Sequence, residues 1–336
     1  MPGANSMHFR SKRNRNLCLC VVIFITALAT LHRRKIMNEE IHMATLPTRA
    51  SSIPAASLKN ILFVTDFSDA SMKALPHVEL LAKKFQASVF VCHMITPSSL
   101  VAAAPQAAPY LYEAEYNAAA KELDNILHGP RLAGMRTKAL LPTGMLGDTL
   151  VEEIKKNHVD LVVAGTHGRT GFRRFLLGSA AEEICRAATC PVLTVGPELP
   201  STATEFRRIL IPTDLSVESM RCLPFVVRLA SEYSSAITIL HVLPEETAYN
   251  PDAKKLSEPV RKTMVHTFEP QLGTLKAEFV TEAGETADTI LRVAREKGAD
   301  LIAMGIRNAF LPGLHVRASV AYRVMSAAEC PVMTCR

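Results

Sequence analysis

The residues best able to do chemistry lie in one stretch, Asp160 to Ser179, which reads DLVVAGTHGRTGFRRFLLGS. A short apolar run, Leu161 to Ala164, ends in a loop carrying Gly165, Gly168, Gly171 and Gly178; Ser179 then opens AAEEICRAA, a helical pattern. Glycine lets backbone amides approach a ligand closely, and a helix N-terminus offers unpaired N–H groups with a partial positive charge. Phosphate is the ligand that both features favour. The same glycines could equally serve only to turn a strand into a helix.

The elements that must position this loop alternate strictly. Ile61 to Thr65 reads as a buried strand, followed by a helix that Ser68 or Asp69 can cap and whose apolar positions Ala74, Leu75, Val78, Leu81 and Ala82 recur at helical spacing. Further strands are expected at Ser88–Met94, Arg136–Leu141, Leu161–Ala164 and Val192–Val195, with helices at about Tyr112–His128, Gly147–Asn157 and Ser179–Ala188. Strands without alternation, each followed by a helix, argue an α/β fold with a parallel sheet covered on both faces.

From Arg207 the pattern is written again. RRILIPTDLSVESMRCLPFVVRLASEYSSAITILHVLP matches KNILFVTDFSDASMKALPHVELLAKKFQASVFVCHMITP at an offset of 148, which puts Asp214 on Asp66, Ser216 on Ser68 and His241 on His93. KGADLIAMG matches NHVDLVVAG, and ECPVMTC matches TCPVLTV, at an offset of 140. The second copy has therefore lost eight residues, assigned to the Ala- and Pro-rich loop after the second strand. Two homologous domains are expected, 59–197 and 206–336, behind an extension at 1–58 that ends in an Ala, Ser, Thr and Pro linker.

Three ordered motifs now carry a resemblance. ILFVTDFSDAS, GTHGRTGFRRFLLGSAAEEI and CPVLTV resemble the universal stress protein family in a tandem, two-domain form, and Gly165, Thr166, His167, Gly168, Gly178 and Ser179 fit the G-x2-G-x9-G-[ST] pattern of its ATP-binding subgroup without a gap. The resemblance implies two Rossmann-like, adenine nucleotide alpha hydrolase-like domains, each an open five-stranded parallel sheet of order 3-2-1-4-5. In such a sheet, ligands bind beyond the carboxyl ends of the strands where the order reverses. It implies that Asp66 contacts the ribose or adenine side and that Thr65 and Met94 line the base pocket. Backbone N–H groups at Gly165, Gly168, Gly178 and Ser179, with Ala180 adding another, would hold the phosphates of ATP accompanied by Mg²⁺. The implied role is a stress-response or signalling module, with no catalytic residue assigned and at most weak ATP hydrolysis.

Each assignment has a plainer alternative. Asp66 could cap a turn, Ser179 could be an N-cap, and Arg169, Arg173 and Arg174 could form a solvated face. His167 has no partner nucleophile in view and reads as a loop hydrogen-bonder. The second copy keeps Gly305, Asp214 and Ser319, but it has Asn308 for Gly168, Ala318 for Gly178 and Pro312 inside the loop. A methyl group at Ala318 and a lost donor at Pro312 predict weak or absent nucleotide binding there, although the retained Asp214 argues the other way. That copy would serve pairing and stability, with the fifth strands, Val192–Val195 and Val332–Cys335, as edges for joining the domains.

Composition bounds the other possibilities. The net charge of +6 resides in residues 1–50, which hold eight Lys or Arg against two acids; the remainder has 30 of each sign. A neutral body offers no electrostatic footprint for nucleic acid. The extension contains an apolar run of fifteen residues, Leu17 to Leu31, flanked on both sides by basic residues. It is short for a membrane span and suits a signal segment, yet the following HRRK cluster opposes export. A membrane anchor and a true start at Met37 or Met43 are the other readings. Eight scattered cysteines show no zinc spacing and read as reduced thiols in a cytoplasmic protein. The partners expected are ATP, the companion domain, a further copy of the chain and an unnamed signalling protein. The alternative functions are a slow ATPase and a membrane-tethered regulatory scaffold.

Overall fold

A computed structural model describes residues 56–96, 105–166, 177–249, 253–306 and 319–336. The apolar run at 17–31, His167, Gly168, the loop arginines, Asn308, Pro312 and Ala318 lie outside the described residues.

The first copy runs β1 (Asn60–Val64), α1 (Asp69–Met72), α2 (Leu75–Phe85), β2 (Ser88–Cys92), α3 (Ala108–Leu127), β3 (Thr137–Leu140), α4 (Leu146–Lys156), β4 (Leu161–Gly165), α5 (Ser179–Ala187) and β5 (Val192–Val195). The second runs β6 (Arg208–Pro212), α6 (Leu223–Tyr233), β7 (Ala236–Leu243), α7 (Ala253–Leu272), β8 (Ala277–Ala283), α8 (Thr286–Lys297), β9 (Leu301–Gly305), α9 (Val320–Ala327) and β10 (Val332–Cys335). The single helix expected after β1 is divided. Ser68 caps α1 by accepting from the Ser71 N–H at 3.1 Å, and Pro76, which has no N–H to give, falls in the first turn of α2.

Each copy keeps the strand order 3-2-1-4-5, but the two sheets are not separate. They fuse into one ten-stranded sheet, β3-β2-β1-β4-β5-β10-β9-β6-β7-β8. All pairings are parallel except the seam, where β5 and β10 run antiparallel with Val332 opposite Thr194 and Met333 opposite Leu193. The Thr194 hydroxyl also donates to the Val332 carbonyl at 3.1 Å. Joining the fifth strands removes the two edges that separate sheets would leave open.

An aspartate sets the register of each first strand. Asp160 accepts from the N–H groups of Lys59 (2.7 Å) and Asn60 (3.0 Å), and Asp300 does the same for Arg207 and Arg208. The apolar core forms two layers. One lies under α2, α3, α6 and α7 around Phe63, Phe206 and Phe268; the other lies under α4, α5, α8 and α9 around Leu62, Leu150, Ile290 and Tyr322. Both layers run through both copies.

Two expectations are corrected here. The missing residues of the second copy do not all come from the loop after its second strand: α3 reaches β3 through 128–136, whereas α7 reaches β8 through 273–276 alone. Nor are all thiols free, since Cys222 and Cys335 form a disulfide with Cα atoms 5.2 Å apart, tying the start of α6 to the end of β10. The matching residues of the first copy are Ala74 and Val195, both fully buried apolar residues. Two positions that are buried in one apolar layer in the first copy are joined by a cross-link in the second. Cys92, Cys185, Cys190 and Cys330 remain free thiols, and burial raises the pKa of each to about 12.

Candidate functional site

Parallel pairing brings the predicted residues to one end of the sheet. Val64 lies opposite both Cys92 and Ala164, so Thr65 and Asp66 leave β1 beside His93 and Met94 from β2 and beside Gly165 and Thr166 from β4. Thr65 donates its N–H to the Cys92 carbonyl, and Thr166 donates to Val195. This is the carboxyl edge, at the position where the chain crosses from one side of β1 to the other.

Asp66 builds a turn. Its Oδ1 accepts from the Ser68 N–H (3.1 Å) and from the Ser68 hydroxyl (2.6 Å), while the Ser68 hydroxyl caps α1. Asp214 and Ser216 repeat the device. The turn forces Phe67 and Leu215 to positive φ, 63° and 64°, a cost that matched networks offset in both copies. Thr65 is buried, and its hydroxyl is occupied: it meets Ser71 Oγ at 2.9 Å and accepts from the Phe67 N–H. Thr65 therefore supports the turn from beneath. Met94 is also buried, within the layer that contains α4 and α5.

A residue singled out only by the repeat proves to be part of this support. His93 Nδ1 lies 2.8 Å from the Thr65 carbonyl and its ring stacks on Phe67 at 4.3 Å; His241 meets the Thr213 carbonyl at 2.9 Å. A carbonyl only accepts, so Nδ1 carries the proton in each ring. Burial lowers the pKa of His241, which favours its neutral form.

The loop that leaves β4 is closed at its base. The Gly178 N–H, expected to face a phosphate, is instead donated to the Thr166 carbonyl at 2.8 Å. Helix α5 starts immediately afterwards, with Gly178 as N-cap, no side chain capping it, and a first helical bond from the Glu182 N–H to the Gly178 carbonyl. The amides of Ser179 and Ala180 therefore have no intrahelical partner. Ser179 is the first helical residue and does not cap α5.

The second copy resolves the same serine differently. Ser319 is the N-cap of α9, and its hydroxyl accepts from the Tyr322 N–H at 3.2 Å. Gly305 also has a plain structural cause, because a Cβ there would overlap the Glu218 carbonyl oxygen. Glycine at this position is demanded by packing, so its presence in both copies does not discriminate between them. Among the described residues, no group of three His, Cys, Asp or Glu side chains is arranged to hold a metal ion. Among them, too, no helix is long and apolar enough to cross a membrane.

The fold and this edge define a tandem α/β protein in which one copy starts this helix at a glycine and the other at a serine that caps it. The family model for the universal stress protein family matches residues 57–196 and 205–336, and the chain belongs to that family. The universal stress protein MJ0531 of Methanocaldococcus jannaschii is 33% identical over 138 residues, covering 41% of this chain and 81% of that protein. The crystal structure of a universal stress protein from Archaeoglobus fulgidus superposes with a TM-score of 0.61 at 19% identity. It covers 82% of this chain and 98% of that one, a likeness of fold. The Na(+)/H(+) antiporter NhaS5 of Synechocystis is 26% identical over 160 residues, 45% of this chain and 23% of its own length.

Proposed function

We propose that the first copy binds an adenine nucleotide of the ATP type through the carboxyl edge of β1 and β4, and that the protein works as a stress-response or signalling module whose second copy binds no nucleotide. The observation that carries this reading is the uncapped start of α5 beside the closed glycine loop, set against the capped start of α9. Ser179 and Ala180 offer two N–H groups at the positive end of a helix dipole, the arrangement that stabilises a phosphate. In the second copy the Ser319 hydroxyl instead ties the helix start to itself, accepting from the N–H of Tyr322, the third helical residue. Asp66, partly buried at the same edge, would meet the ribose or base. Any Mg²⁺ would arrive with the phosphates, which suits an ion that keeps most of its ligands as water and phosphate oxygen. The reading assigns no catalytic residue.

The test removes one amide without removing the helix. Proline is favoured at the first helical position, and Gly178 has ψ of 146°, which suits a residue preceding proline. Ser179→Pro therefore deletes an N–H that the helix does not use. ATP affinity measured by calorimetry is expected to fall about 10–100-fold, the worth of one hydrogen bond to a charged group. Val320→Pro, at the first position of α9, should leave it unchanged. Equal losses from both variants would contradict the proposal.

The stretch shared with the antiporter favours a second reading, a regulatory scaffold beside a transporter. It predicts that the intact protein has no measurable affinity for ATP.

A further inference from the structure

We infer that Tyr322, a residue of the second copy, is a positioning residue for the phosphate loop of the first. This rests on the nucleotide reading above and adds to it a reason for keeping a copy that binds nothing. Tyr322 lies in the first turn of α9, is 4% exposed, and packs in the same apolar layer as Leu177. Its hydroxyl donates to the Leu177 carbonyl at 3.3 Å. Leu177 directly precedes Gly178, whose N–H closes the loop on Thr166. The end of the loop is thus held twice, once by its own β4 and once by the other copy.

At 3.3 Å the bond is long for an O–H···O contact, and its effect comes from where it acts. It fixes the peptide next to the N-cap of α5, hence the direction in which the Ser179 and Ala180 amides point. Cys185 Sγ meets Met325 Sδ at 3.7 Å, a soft contact that fills space and fixes no direction.

The brace acts one way. The residue of α5 that corresponds to Tyr322 is Glu182, and an ionised carboxylate cannot donate a hydrogen bond to a carbonyl. The second copy can therefore steady the loop of the first, while the first cannot return the service through the same position. This matches the asymmetry of the helix starts, since the copy whose helix starts without a side-chain cap is the one that is braced.

Tyr322→Phe keeps the ring and removes only the hydroxyl. The experiment measures ATP affinity by calorimetry and backbone hydrogen exchange of residues 177–181 in the ligand-free protein, with the melting temperature as a check on folding. Met325→Leu on the same helix serves as the packing control. The inference expects affinity to fall about fivefold to tenfold, with faster exchange at 177–181, in Tyr322→Phe alone. A fall shared by Met325→Leu, or exchange unchanged in Tyr322→Phe, would overturn it by assigning Tyr322 to packing. If the wild type binds no ATP the nucleotide reading fails, and positioning of a phosphate loop fails with it. Exchange would then still show whether the brace exists, so the two failures can be told apart.

Discussion

The two copies share a strand order, an Asp–Ser turn and a histidine brace, yet they differ at the point where a ligand would enter. In the first, Ser179 is the first residue of a helix whose N-cap is Gly178, with no side chain capping it; in the second, Ser319 stands one step outside and its hydroxyl caps the Tyr322 N–H. A shift of one residue in where a helix begins thus separates a helix started by glycine from one capped by serine. Features that survive in both copies serve the fold. Asp66 and Asp214 make the turn, Gly165 and Gly305 occupy the same strand end, and at Gly305 a side chain would strike backbone. Features present in only one copy carry its particular task.

The largest expected difference concerns the disulfide of the second copy. It closes a sequence separation of 113 residues, for which chain entropy alone corresponds to about 4–5 kcal/mol. Replacing Cys222 and Cys335 by the first copy's own residues, as Cys222→Ala with Cys335→Val, should lower stability by about that amount in denaturant melts. Reductant should shift the wild type but not this variant. Equal midpoints for oxidised and reduced wild type would show that the cross-link contributes nothing.

The next difference lies on α2 and its counterpart α6. His77 is buried with no hydrogen-bond partner for Nδ1 among the described residues, and burial lowers its pKa to about 4, only partly opposed by the Lys73 carbonyl. The second copy has Phe225 there. A folded pKa below the unfolded value of 6.5 means that the unfolded chain takes up the proton first. The contribution is complete above pH 6.5 and is lost as pH falls to about 4, roughly 3 kcal/mol at most. His77→Phe should flatten this part of the stability profile, and an unchanged acid limb would place its cause elsewhere.

Gly305→Ala should cost about 1–3 kcal/mol, because the group it strikes is backbone and has little room to yield. Thermal melts would measure this. A neutral effect would mean that Gly305 is kept for some purpose other than packing.

Much of this was legible in the chain. Apolar strands and amphipathic helices gave the element order, and the internal repeat exposed the duplication, the aligned Asp66 and Asp214, and the worn loop of the second copy. What depended on the seam was hidden. The expected fifth-strand edges do meet, but that Tyr322 would reach Leu177 follows only from the antiparallel register of β5 and β10. In the sequence, that brace is a single difference from Glu182. The disulfide was missed for a similar reason: its cysteines lie far apart in the chain, and only the neighbouring of α6 and β10 brings them together. The helix starts were ambiguous because one hydroxyl suits both capping and phosphate, and only backbone placement decides between them.

The central claim is one working site in a chain that contains two copies of its framework. Calorimetric titration of the full-length protein with ATP and Mg²⁺ tests it most directly. The account predicts a stoichiometry of one nucleotide per chain, with affinity about 10–100-fold lower in Ser179→Pro and unchanged in Val320→Pro. Two equivalent sites per chain, or an affinity unchanged in Ser179→Pro and lowered in Val320→Pro, would contradict it.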